Sequence, residues 1–136
     1  MNTSDFPIKI ELRIDWSEID TFGHVNHLAY FKYIQTAKVN YMEKIGLMQL
    51  YNEMGIAPII ASCKCDFKHS LFYPGNITIQ SKIDSIKTTS FRIIHQILDS
   101  EGTIAALAED IIVVIDTKNN IKMPIPETIL AKIASL

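Results

Sequence analysis

Two repeating patterns of apolar and polar positions follow each other along the first third of the chain. Residues 8–16 (IKIELRIDW) alternate apolar with polar side chains, which is the two-residue period of a half-buried strand. From 27 to 45 the apolar residues fall at helical spacing instead. Asn26 can cap the start of this helix, and Gly46 can take the left-handed conformation after its end. We expect the aromatic residues of the helix to pack in the core: Tyr30, Phe31, Tyr33 and Tyr41.

The two-residue period returns beyond a loop that contains Gly55 and Pro58. It predicts strands at 59–67 and from 77 to the segment that starts at Lys87. Residues 90–98 are predicted to form another strand, and 103–116 a long apolar strand interrupted by Glu109-Asp110. Residues 73–76 (YPGN) predict a type II turn, and Pro126 opens a short helix. One apolar helix followed by consecutive antiparallel strands predicts an α+β fold, in which the sheet curls around the helix within a single domain over 1–136.

The composition of the chain argues against several classes of protein. Apolar residues make up 48% of the chain and charged residues 21%, which is typical of a globular protein, and the net charge of -2 argues against a nucleic-acid partner. The sequence shows neither a signal peptide nor an apolar run long enough to span a membrane. Cys63 and Cys65 point to one face of a strand, which suits buried thiols rather than a disulfide, and we expect a reducing, cytoplasmic location.

The residues that could carry chemistry gather between the first strand and the helix. The chain has no GxSxG, glycine-rich phosphate loop or HExxH motif. This polar cluster consists of Asp15, Glu18, Asp20, Thr21, His24, Asn26 and His27. The helix start that follows has unpaired N–H groups, so a carboxylate held there could attack or activate water while the amides stabilise an oxyanion. Ordinary helix capping uses the same residue types, and both interpretations stay open.

A resemblance to a known family favours the catalytic interpretation. The segment 20–27 (DTFGHVNH), followed by Tyr30, Tyr33 and Ala37-Lys38, resembles the signature of the 4-hydroxybenzoyl-CoA thioesterase-like hotdog family, and its His-Val-Asn part is similar to acyl-ACP thioesterases. The resemblance implies a hotdog fold and hydrolysis of an acyl-CoA or acyl-carrier-protein thioester without a cofactor or metal. Asp20 would be the nucleophile or general base, and the backbone amide of His27 would polarise the carbonyl.

The same resemblance suggests further site residues. His24 would either orient Asp20 and the substrate or hydrogen-bond the loop, and Asn26 and Tyr30 would contact the substrate. Lys87 and Ser90 match a basic-x-x-Ser-Phe stretch that lies near coenzyme A in the family. A metal held by His24, His27 and Asp20 is the less favoured alternative.

Three positions depart from the family pattern. His27 replaces an Asn, and Lys38 replaces an Arg. Gln35 stands where many members have Glu, so Asp20 is the only acid that matches the family pattern. A non-catalytic acyl-binding protein with the same fold stays an alternative.

The sequence also predicts a homodimer or homotetramer with shared active sites. A sheet wrapped around one helix leaves an unpaired edge strand, and pairing two such edges across a twofold axis would extend the sheet. Ala61 and Ser62 would then lie near Asp20 of the second chain. Elsewhere, we expect His69 and His95 to be packing or edge residues on strands, and one member of the Glu109-Asp110 pair to be a paired carboxylate.

Overall fold

The computed structural model describes residues 5–136. In chain order its elements are β1 (Ile8–Arg13), a short 3₁₀ helix (Trp16–Glu18), α1 (His27–Lys44), α2 (Leu47–Met54), β2 (Ile56–Phe67), β3 (Asn76–Ile86), β4 (Ser90–Leu98), β5 (Ile104–Asp116), β6 (Ile121–Lys122) and α3 (Glu127–Ala134). The strands form one antiparallel sheet in the order β1-β3-β4-β5-β2, with β6 paired to β5. The predicted α+β fold, a curled antiparallel sheet with helices, is confirmed.

The long helix α1 begins and ends with the residues that the sequence suggested. Asn26 Oδ1 accepts a hydrogen bond from the Leu28 N–H at 3.0 Å, and Gly46 follows the helix end with φ of +87°. The helix packs on the sheet over two core clusters. The first contains Tyr33, Ile34, Ile79 and Ile97, and the second contains Tyr41, Ile45, Ile93 and Ile112. Burial of these side chains is the main force that holds α1 against the sheet.

The edge strand β2 begins at Ile56 rather than at residue 59, so that it includes Pro58. Proline is tolerated there because its position requires no hydrogen bond to β5. Val114 lies opposite Pro58 but makes its backbone hydrogen bonds on the side away from β2. Its N–H donates to Thr89 C=O, and its C=O accepts from the Met123 N–H. The missing donor of Pro58 therefore faces the open edge of the sheet.

The segment after Gly46 was predicted to be a loop, and this prediction is wrong, because it forms α2. Gly46 ends α1 in the left-handed conformation, and the chain starts a second helix at once. Gly55, with φ of +69°, closes this helix in the same way. The helix is only two turns long, and its apolar contacts are few: Leu47 is buried and Leu50 is partly buried against the core. Such a short apolar pattern does not distinguish a helix from a loop.

Four side chains are more exposed than the sequence predicted. The first strand ends at Arg13, since Asp15 caps the 3₁₀ helix, and Trp16 is consequently 71% exposed. Phe31 lies at the border of the helix stripe and is 36% exposed. Cys63 is exposed and Cys65 is half-buried, because β2 is the edge of the sheet and most of its side chains face solvent in the single chain.

Two predictions about the segment between β2 and β3 are also wrong. A type II turn over 73–76 requires a positive φ at Gly75, which does not adopt one, and the Tyr73–Pro74 peptide is cis. His69 lies in the loop after β2 and not on a strand, because the strand ends at Phe67.

Candidate active site

The loop between β1 and α1 folds back on itself around Asp20. Ile19 and Val25 form an isolated antiparallel bridge. Inside it, the Asp20 N–H donates to His24 C=O at 2.8 Å and the Gly23 N–H donates to Asp20 C=O at 3.1 Å. Gly23 has φ of +84°, a value that glycine adopts without strain. The result is a small closed turn with Asp20 at its first corner.

The carboxylate of Asp20 is oriented by this turn. Its Oδ1 accepts hydrogen bonds from the Phe22 N–H at 2.9 Å and from the His24 N–H at 3.1 Å. Its Oδ2 accepts no hydrogen bond from any residue between 5 and 136. Two amides therefore fix the carboxylate while one oxygen is left to attack a carbonyl or to take a proton from water.

The first turn of α1 supplies a hydrogen-bond donor beside this carboxylate. The Asn26 N–H donates to Glu18 C=O at 2.8 Å, and the Leu28 N–H is capped by the Asn26 side chain. The His27 N–H between them finds no acceptor in the part of the chain that the structure describes. An unpaired amide at a helix start carries partial positive charge and suits an oxyanion.

Asp20, His27 and Tyr30, three of the predicted site residues, line one cavity of about 380 Å³. The sequence did not assign to the site five further residues that line it: Val25, Phe67, Lys68, His69 and Ser70. The Tyr30 and Phe67 rings meet edge to face, with centroids 5.0 Å apart, and the Tyr30 hydroxyl donates to His69 C=O at 3.4 Å. Phe67 is 48% exposed although it is aromatic, and because its position in the cavity depends on how the edge strand meets α1, nothing in the sequence assigned it to the site.

His24 and Asn26 lie next to this cavity but do not line it. The His24 ring packs edge to face against Phe72 with centroids 5.1 Å apart. The side-chain oxygen of Asn26 is used to cap α1. Both residues hold the loop and the helix start, and their contact with a substrate stays a prediction.

Lys87 and Ser90 lie together at the other end of the sheet. They line a separate cavity of about 130 Å³, and the Lys87 N–H donates to Ser90 C=O at 2.8 Å. The loop that carries Asp20 follows Arg13, which pairs with Asn76 at the first residue of β3, whereas Lys87 follows the last residue of the same strand. A strand of this length extends roughly 35 Å, at about 3.3 Å per residue. Asp20 and Lys87 of one chain are therefore far apart.

Comparison with known families decides what this chain is. A family model described as the Thioesterase-like superfamily matches residues 14–133. The chain belongs to the thioesterase-like superfamily. The hotdog fold expected from the sequence is confirmed, and this membership makes the protein a thioester hydrolase.

Several solved structures share the fold of this thioesterase. Slr0204, a 1,4-dihydroxy-2-naphthoyl-CoA thioesterase from Synechocystis, matches with a TM-score of 0.83 and 17% identity, over 94% of this chain and 96% of that one. A thioesterase from Thermus thermophilus, complexed with coenzyme A and Zn, matches with a TM-score of 0.84 and 20% identity, over 96% and 93% of the two chains. Among sequence relatives, a protein of Aquifex aeolicus is 22% identical to this chain over 100 residues, which are 73% of this chain and 78% of that protein.

The thioesterase also contains a buried polar network away from the Asp20 cavity. It runs across the sheet under α1: Ser81 Oγ lies 2.7 Å from His95 Nδ1, and His95 Nε2 lies 2.9 Å from Asp110 Oδ2. Lys38 Nζ lies 3.8 Å from the other oxygen, Asp110 Oδ1, which accepts no hydrogen bond from residues 5–136. Burial by itself would raise the pKa of the Asp110 carboxyl, but the hydrogen bond with His95 and the charge of Lys38 outweigh it and hold the pKa below its usual range.

This network has the order of a Ser-His-Asp triad without its accessibility. Ser81 and Asp110 are fully buried, and His95 is 2% exposed. A nucleophile must reach its substrate, so the network is structural. The expectation that the Glu109-Asp110 pair contains a paired carboxylate is confirmed for Asp110, and Glu109 is also paired, because its Oε2 lies 3.8 Å from Arg92 Nη1.

Two features are absent from residues 5–136 of this thioesterase. No three His, Cys, Asp or Glu side chains in that range come together as a metal site would require. No helix in that range has both the length and the apolar character that a membrane crossing demands.

Proposed function

We propose that the protein hydrolyses an acyl-CoA thioester to a free acid and coenzyme A, with Asp20 as nucleophile or general base. The observation that carries the proposal is the pair of unused groups at one cavity: Asp20 Oδ2, and the N–H of His27 at the start of α1. The carboxylate oxygen suits attack or proton transfer, and the N–H suits stabilisation of the developing oxyanion. The Thermus thermophilus thioesterase of this fold was solved with coenzyme A, which supports the choice of thiol.

Two routes fit this geometry. In the first, Asp20 Oδ2 attacks the carbonyl carbon, the C–S bond breaks, the thiolate leaves and takes up a proton, and water then hydrolyses the mixed anhydride. In the second, Asp20 takes a proton from water while the hydroxide attacks the same carbon, the C–S bond then breaks, and the thiolate leaves and takes up a proton. In both routes the His27 N–H donates to the carbonyl oxygen as negative charge builds on it. A thiolate needs less assistance to leave than an amine, so this small set of groups suffices.

Replacement of Asp20 by Asn tests the proposal. The asparagine side chain retains an oxygen that can accept from the loop amides, so the turn should persist while the carboxylate is lost. We expect kcat to fall by at least ~100-fold, the lower range for a positioned acid or base. The measurement is thiol release from a panel of aliphatic and aromatic acyl-CoAs, without added metal, with the same acyl groups on carrier protein for comparison.

Asp99→Asn is the matched control. Asp99 is also a turn aspartate whose Oδ1 accepts two backbone hydrogen bonds at 2.9 Å, from the N–H groups of Glu101 and Thr103, but it lies in the β4–β5 hairpin. This variant should keep the wild-type rate. Near-normal turnover in Asp20→Asn would refute the assignment, and acyl binding without turnover in the wild type would favour a non-catalytic acyl-binding protein.

We also propose that two chains share each active site. The edge strand β2 is open along twelve residues, and it exposes Ile59 and Ile60 at 44% and 41%. One end of β2 carries Phe67 of the Asp20 cavity. The other end lies near Ser90, because Ile59 and Ser90 both pair with Val113. Antiparallel pairing of β2 with its copy would therefore bring the Ser90 end of one chain beside the Asp20 cavity of the other.

This arrangement gives the Lys87 and Ser90 cavity a role. Within one chain it lies too far from Asp20 to serve the same ligand, whereas across the pair it would hold a phosphate of coenzyme A near the cavity that takes the acyl group. Ala61 and Ser62, in the middle of β2, would lie at the junction. The free thiols of Cys63 and Cys65 fit a reducing compartment, and we propose the cytoplasm.

A further inference from the structure

We propose that Glu18 is a positioning residue, whose carboxylate clamps the Asp20 loop to α1 and so sets Asp20 against the His27 N–H. The inference rests on the proposed function, because it assigns a role to the groups beneath the same site. Glu18 lies two residues before Asp20 and is 8% exposed, which is rare for a carboxylate in a loop.

The Glu18 side chain is held by groups from both sides of the loop. The Tyr33 hydroxyl, on the second turn of α1, donates to Glu18 Oε1 at 2.6 Å. Lys32 Nζ lies 2.7 Å from Oε2. The Asp15 N–H also donates to Oε1, at 2.8 Å. One carboxylate thus joins the end of β1, the 3₁₀ helix and α1.

The main chain of Glu18 makes the second half of the clamp. Its C=O accepts from the Asn26 N–H at 2.8 Å, one residue before His27. The next residue, Ile19, forms the bridge with Val25 that closes the Asp20 turn. Displacement of Glu18 would therefore move both the carboxylate and the amide that the proposed chemistry uses.

The electrostatics agree with a carboxylate that is held as the anion. Burial by itself would raise the pKa of Glu18, but the hydrogen bonds from Lys32, from the Tyr33 hydroxyl and from the Asp15 N–H outweigh it and hold the pKa below its usual range. Capping of a short 3₁₀ helix does not require such burial, since Asp15 caps the same helix from an exposed position.

Tyr33→Phe tests the clamp with the loss of one hydroxyl. A catalytic group displaced by about 1 Å can lose up to roughly 100-fold in rate, so we expect kcat on the fastest acyl-CoA of the panel to fall by about 10- to 100-fold with KM within about twofold. In the Asp20→Asn background the same substitution should cause a much smaller loss, because the part of its effect that acts through the Asp20 carboxylate is already gone. Glu18→Gln, which can still accept from Tyr33 but loses the charge that Lys32 contacts, should fall between wild type and Tyr33→Phe.

Tyr41→Phe is the matched control. Tyr41 is also buried on α1, and its hydroxyl accepts a hydrogen bond from the Ile83 N–H at 3.1 Å, so its removal also costs a buried hydrogen bond but far from the loop. This variant should keep kcat within about twofold of the wild-type value. The inference is overturned if Tyr33→Phe keeps wild-type kcat, if both tyrosine variants lose activity alike, or if Tyr33→Phe causes an undiminished loss in the Asp20→Asn background.

The clamp and the proposed chemistry can fail separately. If Asp20→Asn is active, the proposed function fails. If Asp20→Asn is inactive while Tyr33→Phe keeps wild-type kcat, only the clamp fails. Amide hydrogen exchange of residues 19–27 reports on the clamp without turnover: exchange should be faster in Tyr33→Phe and unchanged in Tyr41→Phe, and equal exchange in both would overturn the clamp.

Discussion

Two carboxylate ion pairs in this protein differ in burial and in the distance between their charged atoms, so they show which of the two matters more for stability. Asp84 and Arg92 form the better pair by distance, with Arg92 Nε and Nη2 donating to the two carboxylate oxygens at 2.8 and 2.7 Å, but both side chains are partly exposed. Asp110 and Lys38 are 3.8 Å apart, yet Asp110 is fully buried and Lys38 is 8% exposed. We expect Asp110→Asn to be much more destabilising than Asp84→Asn.

The magnitude follows from what each substitution leaves behind. The asparagine that replaces Asp110 can still accept the hydrogen bond from His95, but the Lys38 ammonium then has no anion in a region that water does not reach. Breaking one side of a buried pair costs about 3 to 5 kcal/mol, whereas an exposed pair contributes about 0 to 1 kcal/mol. A chain of this length has a total stability on the order of 7 to 20 kcal/mol. A loss of about 3 kcal/mol should lower Tm by roughly 6 to 12 °C.

Urea unfolding at one protein concentration measures the difference, with the slope checked for constancy so that midpoints compare stabilities. Lys38→Met combined with Asp110→Asn supplies a further check, because it removes both charges, keeps an acceptor for His95 and should recover much of the loss. Equal destabilisation by Asp84→Asn and Asp110→Asn would refute the reasoning, as would a double variant that is less stable than Asp110→Asn alone.

Three further predictions concern binding, assembly and pH. Lys87→Ala should raise KM for acyl-CoA more than it lowers kcat, with a difference that shrinks at high salt; an unchanged KM at low salt would remove Lys87 from the site. Light scattering should give a mass of at least two chains at micromolar concentration and activity should fall on dilution, and a fully active sample with the mass of one 15.4 kDa chain would contradict shared sites. Because the pKa values of Glu18 and Asp110 are lowered by folding, their contribution to stability is complete above pH ~5 and is lost as the pH falls from there through the lower folded values. Acid titration of the unfolding free energy should therefore show a shallower decline for Asp110→Asn, and identical profiles would contradict the assigned pKa shifts.

The long elements of the fold could be predicted because their patterns are long. The helix from His27 to Lys44 runs through five turns and has a capping residue and a terminal glycine, and the strands from Asn76 to Asp116 alternate over nine or more residues each. The helix after Gly46 has only two turns, so its apolar residues at helical spacing, Leu47, Leu50, Tyr51 and Met54, form a pattern too short to distinguish a helix from a loop.

The candidate site could be predicted only where it is contiguous in sequence. Asp20, His27 and Tyr30 fall within eleven residues, so one motif contains them, whereas Phe67 reaches the same cavity from the far end of another element. Glu18 lay within the polar cluster, but its partner Tyr33 was expected only to pack in the core. A helical stripe predicts which side chains are buried, not which of their polar atoms find partners.

Phe67 connects two events that would otherwise be independent. It is the last residue of the open edge strand and also a wall of the Asp20 cavity, where its ring meets Tyr30. A ligand that packs against this ring and a strand that pairs with β2 would act on the same residue. If pairing raises the affinity for the ligand by some factor, thermodynamic reciprocity requires the ligand to tighten the pairing by the same factor. Substrate concentration would then set how much of the protein is assembled, and product release would favour dissociation of the chains.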